Sequence, residues 1–344
     1  MSRRLTMRDI AKVAGVSQAA VSYALRNHPR ISLETRQKIH SLARKLGYRP
    51  DPMLSAMAVY RQSIKLSKYR GTLAWLENHP TRDGCKEVQG FAEFFRGASE
   101  RAKELGYNLE TFWMCEPALT SHRLTSILTA RNIQGLLIAP LPRGRGRLQL
   151  AWEHFSVVAV GHSLVQPQFH VVAGHQYLAM ITIMRKLRAL GYRRIGFVST
   201  RRHIEGTAYN YVGAFLVEQE RFKPQDRIPM LFVKESLLLN EKEFLRWYKQ
   251  YQPQAIVTTM AEVLEILKKA RQRIPKNVGV AIANMPFHEK DFSGMNMNAC
   301  LIGRTATDFL VSMIHRNEKG IPQIPQRLSV EGIWVRGKTV RRVN

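Results

Sequence analysis

Residues 6–28, Thr-Met-Arg-Asp-Ile-Ala-Lys-Val-Ala-Gly-Val-Ser-Gln-Ala-Ala-Val-Ser-Tyr-Ala-Leu-Arg-Asn-His, constrain this chain more than any other stretch. Thr6 followed by Asp9 is a capping-box-like start, in which a hydroxyl and a carboxylate satisfy the first free amides of a helix. Ile10, Val13 and Ala14 fall at i, i+3 and i+4 and predict one apolar stripe along that helix. Gly15 permits a tight turn, and Ser17 is a good N-cap for a second helix. On the second helix Ala20, Val21, Ala24 and Leu25 line the inner face, which leaves Gln18, Ala19, Ser22 and Tyr23 pointing outward. Two short helices joined through Ala-Gly-Val-Ser read as a helix-turn-helix, a motif whose second helix enters the DNA major groove.

The next residues continue in a fixed order. Ser32 caps a third helix, with Ile39, Leu42, Ala43 and Leu46 as its apolar stripe and Gly47 as its stop. Tyr48-Arg-Pro50 is extended, and Asp51-Pro52 then starts a short helix over 53–59, with Asp as N-cap and Pro at the first helical position. Taken together, Thr-x-x-Asp-Ile-Ala-x-x-Ala-Gly-Val-Ser-x-x-x-Val-Ser, Ile-Ser-x-x-Thr-Arg and Leu-Gly-Tyr-x-Pro resemble the headpiece of the lactose-repressor (LacI-type) family of bacterial transcription regulators. The resemblance runs without a gap from Thr6 to about Val59. A weaker one, in the order and length of elements, covers the remainder.

Composition narrows the partners. Lys and Arg exceed Asp and Glu by 53 to 26, a net +27 that favours polyanions such as nucleic acid. Residues 1–70 carry +12 of it, and the larger remainder carries +15. A generally basic proteome explains the excess of the large part as easily as an anionic ligand does. Cys85, Cys115 and Cys300 are scattered, so neither a zinc site nor a disulfide framework is expected. There is no apolar run approaching 18 residues, and the N-terminus passes from Ser2-Arg3-Arg4 into an amphipathic helix without a signal-peptide core. A cytoplasmic protein without a membrane span or a cofactor is expected.

From Gly71 onward short apolar runs alternate with amphipathic helices. Strands are expected at 72–76, 108–113, 135–139, 157–160, 195–199, 231–233, 255–258 and 278–283, with helices between them and a late helix at 299–314. That alternation means βαβ units and parallel sheets, and two groups of them suggest two doubly wound lobes with a ligand cleft between. With the resemblance, the expected fold is an all-α helix-turn-helix headpiece (1–50), a hinge helix and linker (51–70), and a two-lobed α/β core of periplasmic-binding-protein type (71–344). The first lobe should hold about 71–170 plus 290–322. The second should hold 171–289 plus a single closing strand, Arg327–Val335. The family's chain crosses between lobes three times, and the same is expected here.

Position for position, the family's base readers fall on Gln18, Ala19 and Tyr23. Gln can grip an adenine edge bidentately, Ala can pack a thymine methyl, and Tyr offers ring and hydroxyl. Thr6, Ser17, Ser22, Arg26, Asn27 and Arg30 read as phosphate-positioning groups, which carry no sequence information. The 53–59 helix resembles the family's hinge helix, which pairs across the dimer in the minor groove. By register its wedge is Met57, with Leu54, Ala56 and Ala58 beside it. Cleft candidates are Glu77, Asn78, His175, Asn210 and Asn284.

Sugar-binding members commonly carry an arginine at the position of Asn210, an Asn-Asp pair at Thr259-Met260, and an aspartate at Asn284-Met285. All three departures remove charge-assisted bonds to hydroxyls. The resemblance therefore implies a homodimeric repressor of a near-palindromic DNA operator. Its small-molecule effector would be a sugar, a sugar derivative or an anion, unless the same DNA binding is constitutive or controlled by a protein partner. No nucleophile elbow, P-loop or dinucleotide fingerprint occurs, so an enzyme is not expected.

Overall fold

A computed structural model describes residues 5–25, 30–48, 69–82, 84, 89–142, 146–233, 239–285 and 291–343. The N-terminal unit is three helices, α1 (Met7–Ala14), α2 (Gln18–Leu25) and α3 (Leu33–Lys45). Its core is Ile10, Ala11, Val21, Ala24, Ile39 and Ala43, with Met7 and Ala14 packed against it. The stripe on α1 is thus Met7-Ile10-Ala11-Ala14. Val13, expected inside, is 61% exposed, because Ala11 lies on the same side of the helix as Ile10 and takes its place. Gly15 ends α1 in the left-handed region at φ 68°, where a Cβ would be strained.

The remainder forms two lobes, each a six-stranded sheet buried on both faces. In the first, strands β1 (Gly71–Glu77), β2 (Tyr107–Trp113), β3 (Gly135–Ile138), β5 (Ser156–Val160), β7 (His170–Gly174) and β13 (Arg327–Val330) run in the order β13-β7-β5-β3-β1-β2, all parallel. Helices α4 (Gln89–Glu104) and α5 (Ser121–Ala130) belong to this lobe. A separate parallel pair, β4 (Gly146–Arg147) and β6 (Leu164–Gln166), lies beside the sheet. Strands β3 and β5 are buried along their whole length. Strands covered on both faces read as continuous apolar runs rather than alternating ones, which is why they are legible.

The second lobe has β8 (Ile195–Thr200), β9 (Leu231–Val233), β10 (Ala255–Thr258), β11 (Gly279–Met285), β12 (Ser293–Asn296) and β14 (Ile333–Val335), in the order β14-β12-β11-β10-β8-β9. Only β14 is antiparallel to its neighbour among the described strands. Its helices are α6 (Gln176–Ala189), α7 (Arg201–Gly206), α8 (Asn210–Gln219), α9 (Glu241–Tyr251) and α10 (Glu262–Lys269). The final helix, α11 (Ala299–Arg316), returns to the first lobe and packs on α4.

The chain passes between lobes at 174–176, 296–299 and 330–333. Hydrogen bonds bundle these passages: the His175 amide donates to the Val330 carbonyl at 2.8 Å, and Asn298 Nδ2 to the Glu331 carbonyl at 2.8 Å. Three boundaries differ from the expected ones. Residues 171–174 belong to the first sheet rather than opening the second lobe. Residues 293–296 belong to the second sheet, not the first lobe. The expected single strand 327–335 breaks at Glu331-Gly332 and serves both sheets. Both short strands are hard to read because each is followed at once by a change of lobe.

Glycines set the closeness of α4 and α11. A Cβ on Gly303 would lie 2.0 Å from the Phe94 carbonyl oxygen, and one on Gly97 would lie 1.9 Å from that of Cys300. A Cβ on Gly213 of α8 would meet nothing within 4 Å. Gly303→Val should therefore cost about 2–4 kcal/mol and lower the melting temperature by several degrees. Gly213→Ala should leave it unchanged or raise it by the equivalent of at most about 1 kcal/mol. Thermal melts of both variants decide; an unchanged Gly303→Val melt would show that the helices are free to separate.

Candidate functional site

The first site is the outer face of α2. Ser17 Oγ accepts a hydrogen bond from the Ala20 amide at 3.1 Å, so the serine caps the helix and fixes where its first turn projects. Gln18 and Ala19, in that first turn, are exposed, and Tyr23 and Ser22 are half-buried one turn on. Ala19 and Tyr23 stand four residues apart and share a face. Val21 and Ala24, fully buried on the opposite side, lock the rotation of the helix. Arg30 is exposed just before α3.

Thr6 makes the capping contacts expected of it. Its amide and its hydroxyl both donate to Asp9 Oδ2, at 2.8 and 2.7 Å, so its hydroxyl hydrogen serves the helix start. Arg26, Asn27 and the hinge residues Leu54, Ala56, Met57 and Ala58 lie outside the described residues.

The second site is a cavity of about 760 Å³ between the lobes, at the ends of the parallel strands. Phe91, Phe94, Pro140 and Leu141 wall it from the first lobe; Tyr211 and Met285 do so from the second. Its polar groups include His79, His162, Gln176, His203, Thr259 and Asn284. His203 is held in place by α7, whose N-cap Thr200 Oγ1 accepts from the His203 amide at 3.1 Å. Its ring stacks on Tyr211 (5.9 Å between centroids, 19° between planes), and the Tyr211 hydroxyl donates to the Ala283 carbonyl at 3.1 Å.

Burial pushes the His203 pKa down to about 4 and the Tyr211 phenol above its ordinary value, so both are neutral near pH 7. His162 is also lowered, first by burial and then by the positive Arg327. Two buried polar atoms in this wall, His203 Nε2 and Gln176 Oε1, have no hydrogen-bond partner within the protein. An orphaned buried polar atom costs about 1–3 kcal/mol, which a bound partner in the cavity would recover.

Of the five cleft candidates, Asn284 lines the cavity. Glu77 is buried elsewhere, accepting from Trp75 Nε1 at 3.1 Å and facing a smaller hollow beside β2. Asn78 accepts from the Cys115 thiol at 3.0 Å, and His175 Nδ1 caps α6 by accepting from the Leu178 amide at 3.3 Å. Asn210 donates to the Thr207 carbonyl at 2.9 Å at the start of α8. None of these four is in the cavity lining; each side chain is engaged by another partner. Sequence reasoning missed His203 and Gln176, although Thr200 is a legible cap for the short helix that carries His203. Phe91 and Phe94 carry no local signal that marks them as lining, because cavity walls and cores share one composition. No group of three metal-binding side chains gathers among the described residues, and no described helix is long and apolar enough to cross a membrane.

The depressed pKa of His203 has a sign. Between its unfolded value near 6.5 and its folded value of about 4, the unfolded chain binds the extra proton, so this contribution to stability is complete above pH 6.5 and is lost as pH falls through that window. His203→Gln should flatten the fall of melting temperature between pH 6.5 and 4, removing at most about 3 kcal/mol of pH dependence. Identical pH profiles for both proteins would show that His203 is not held neutral.

Both regions have counterparts in known proteins. Residues 6–51 match the family described as bacterial regulatory proteins, lacI family, and residues 184–340 match a periplasmic binding protein-like domain. The transcriptional regulator PtxS of Pseudomonas plecoglossicida is 28% identical over 201 residues, 57% of this chain and only 54% of that protein. MalR of Streptococcus pneumoniae is 22% identical over 322 residues, 91% of this chain and 94% of its own. A crystal structure of the lac repressor dimer bound to operator and the anti-inducer ONPF superposes with a TM-score of 0.58 at 15% identity, covering 98% of this chain and all of that one, which speaks for the fold. The headpiece motif, the two parallel-stranded lobes and these likenesses agree: the chain carries the DNA-binding domain of the lacI family of bacterial regulatory proteins at residues 6–51, ahead of a periplasmic binding protein-like domain at residues 184–340.

Proposed function

We propose that this protein is a transcriptional repressor that binds a near-palindromic DNA operator as a homodimer and changes its DNA affinity when a small molecule occupies the inter-lobe cavity. The observation that carries the DNA reading is the first turn of α2, where Gln18 and Ala19 stand exposed above the fully buried Val21 and Ala24. A helix so presented puts short side chains within reach of base edges. Support for the dimer comes from the lac repressor structure, itself a dimer on its operator. A two-fold protein fits a two-fold site. Repression needs only occupancy of the operator. The protein acts by binding, not by catalysis.

The effector reading rests on His203 Nε2 and Gln176 Oε1, which are buried in the cavity wall without partners. These groups suit a polar ligand with an apolar body, and the three departures at Asn210, Thr259-Met260 and Asn284-Met285 argue against the usual charge-assisted grip on a sugar. Occupancy would hold the lobes in one relative orientation and so bias the linker to the headpiece.

Selection of genomic fragments by the purified protein at two salt concentrations tests the DNA reading. One palindrome recovered at both is expected; unrelated sequences that vanish at the higher salt would leave only electrostatic attraction. Within that palindrome, Gln18→Ala should change which bases are preferred, with about 1–3 kcal/mol of lost discrimination at one position per half-site. Arg26→Ala should weaken all sequences alike and reduce the salt slope by about 1 per half-site. Equal losses on every sequence from both variants would remove Gln18 from base reading.

A further inference from the structure

The excess charge of residues 71–344 is not spread over them. In the second lobe β8, β10 and β11 begin level with one another, Ala255 pairing with Ile195 on one side and Gly279 on the other. Helices α6, α8, α9 and α10 run back against them and end at the same pole, opposite the cavity. Five segments meet there: 185–195, 218–228, 249–254, 268–277 and 341–343. Contacts tie them together. The Arg194 guanidinium donates to the carbonyls of Gln225, Tyr251 and Gln252, and Gln254 Oε1 accepts from the Arg193 and Arg194 amides at 2.8 and 3.2 Å. Arg341 Nη2 donates to the Lys276 carbonyl at 3.2 Å, the Val343 amide donates to the Leu190 carbonyl at 2.7 Å, and Arg188 lies 5.3 Å over the Phe222 ring.

These 41 residues hold sixteen Lys and Arg against three carboxylates, a net +13 out of the +15 carried by residues 71–344. A basic proteome would spread its charge; this chain concentrates it. Helix dipoles explain part of the pattern, because cations stabilise C-terminal turns, as at Lys186, Lys249, Lys268 and Lys269. Four helix ends supply only about two negative charges in all. They do not explain Arg193, Lys223, Arg271, Arg273 and Lys276, exposed in the loops beyond, nor the exposed Arg341 and Arg342. The three carboxylates are spoken for within the pole or half-buried. Glu218 is buried and faces Arg185, Arg188 and Arg221 at 3.1, 3.7 and 3.3 Å; Glu220 pairs with Arg227 at 2.8 Å; Asp226 is half-buried.

We propose that this pole of the second lobe is a second contact surface for double-stranded DNA, holding phosphates without reading bases. Duplex DNA presents about one charge per 1.7 Å of axis, a density that matches a broad cationic face. Ten of the sixteen cations are arginines, whose planar fork suits phosphate oxygens. Among the described residues none of the five segments exposes a large apolar side chain. A single-stranded RNA would want stacking aromatics, and a protein partner would want an apolar anchor to bury. The headpiece precedes the first lobe, so one protein would have a base-reading contact and, at the far end of the second lobe, a sequence-blind one.

The test uses the full chain retained on an immobilised genomic fragment that it has selected, then challenged with a labelled duplex of random sequence. The native protein should capture the second duplex at about 50 mM salt and release it by about 200 mM. Arg271→Gln/Arg273→Gln/Lys276→Gln should lower that capture about tenfold or more, with retention of the first fragment and the melting temperature unchanged. Arg341→Gln/Arg342→Gln, on a different segment of the pole, should lower it too. Equal capture by all three proteins, or no capture while the first fragment is retained, would overturn the proposal. So would preferential capture of single-stranded RNA or of polyglutamate over duplex DNA at equal charge. If no first fragment is retained, the headpiece reading fails instead, and the pole is read from the same variants' binding to the random duplex alone.

Discussion

Parallel strand pairing gives each lobe two unlike ends, and most of what this protein can do follows from that. Every described strand but β14 points the same way as its neighbours, so loops after the parallel strands gather at one pole and loops before them at the other. In the second lobe the first set brings Thr200, Thr259 and Asn284 to the cavity. The other set brings five basic segments together at the opposite end. No single segment explains either site. Residues distant in sequence become neighbours because β8, β10 and β11 start in register and run parallel.

The three passages between lobes turn that arrangement into a device. They are bonded to one another through His175 to Val330 and through Asn298 to Glu331, so the lobes are joined by one bundle of crossings. Two lining groups of the cavity, Gln176 and Asn298, sit on these passages. A ligand that engages His203 Nε2 and Gln176 Oε1 touches the second lobe and the crossing at once. Differential contact of this kind is what a ligand needs to shift an equilibrium between two orientations. In the proposed switch the first lobe would carry the response, because the headpiece precedes it in the chain.

The sequence is most legible where one segment carries its own reason to fold. Thr6, Asp9, Gly15 and Ser17 mark the two headpiece helices to within a residue, since caps and turns act locally. Buried parallel strands such as Gly135–Ile138 stand out as unbroken apolar runs. Legibility fails where the deciding neighbour is far away in the chain. Val13 has the periodicity of a core residue, yet Ala11 takes the inward place once α3 supplies Ile39 and Ala43. Residues 327–335 read as one strand because nothing local says that two sheets in two lobes share them. Glu77, Asn78, His175 and Asn210 sit at strand ends or helix starts, as cleft residues do, but their side chains are spent on nearby partners. His203 shows the converse, since only the folded structure reveals a buried ring nitrogen without a partner.

Coupling between the cavity and the headpiece would make this protein a switch, and one equilibrium measurement tests it most directly. A metabolite that raises the melting temperature of the native protein but not of His203→Gln would identify a cavity ligand by mass action. The dissociation constant of the selected DNA fragment is then measured with and without that metabolite, and that of the metabolite with and without the fragment. Both constants should shift by the same factor, about 5- to 150-fold. A ligand that stabilises the protein through His203 while leaving the DNA constant unchanged would contradict the coupling.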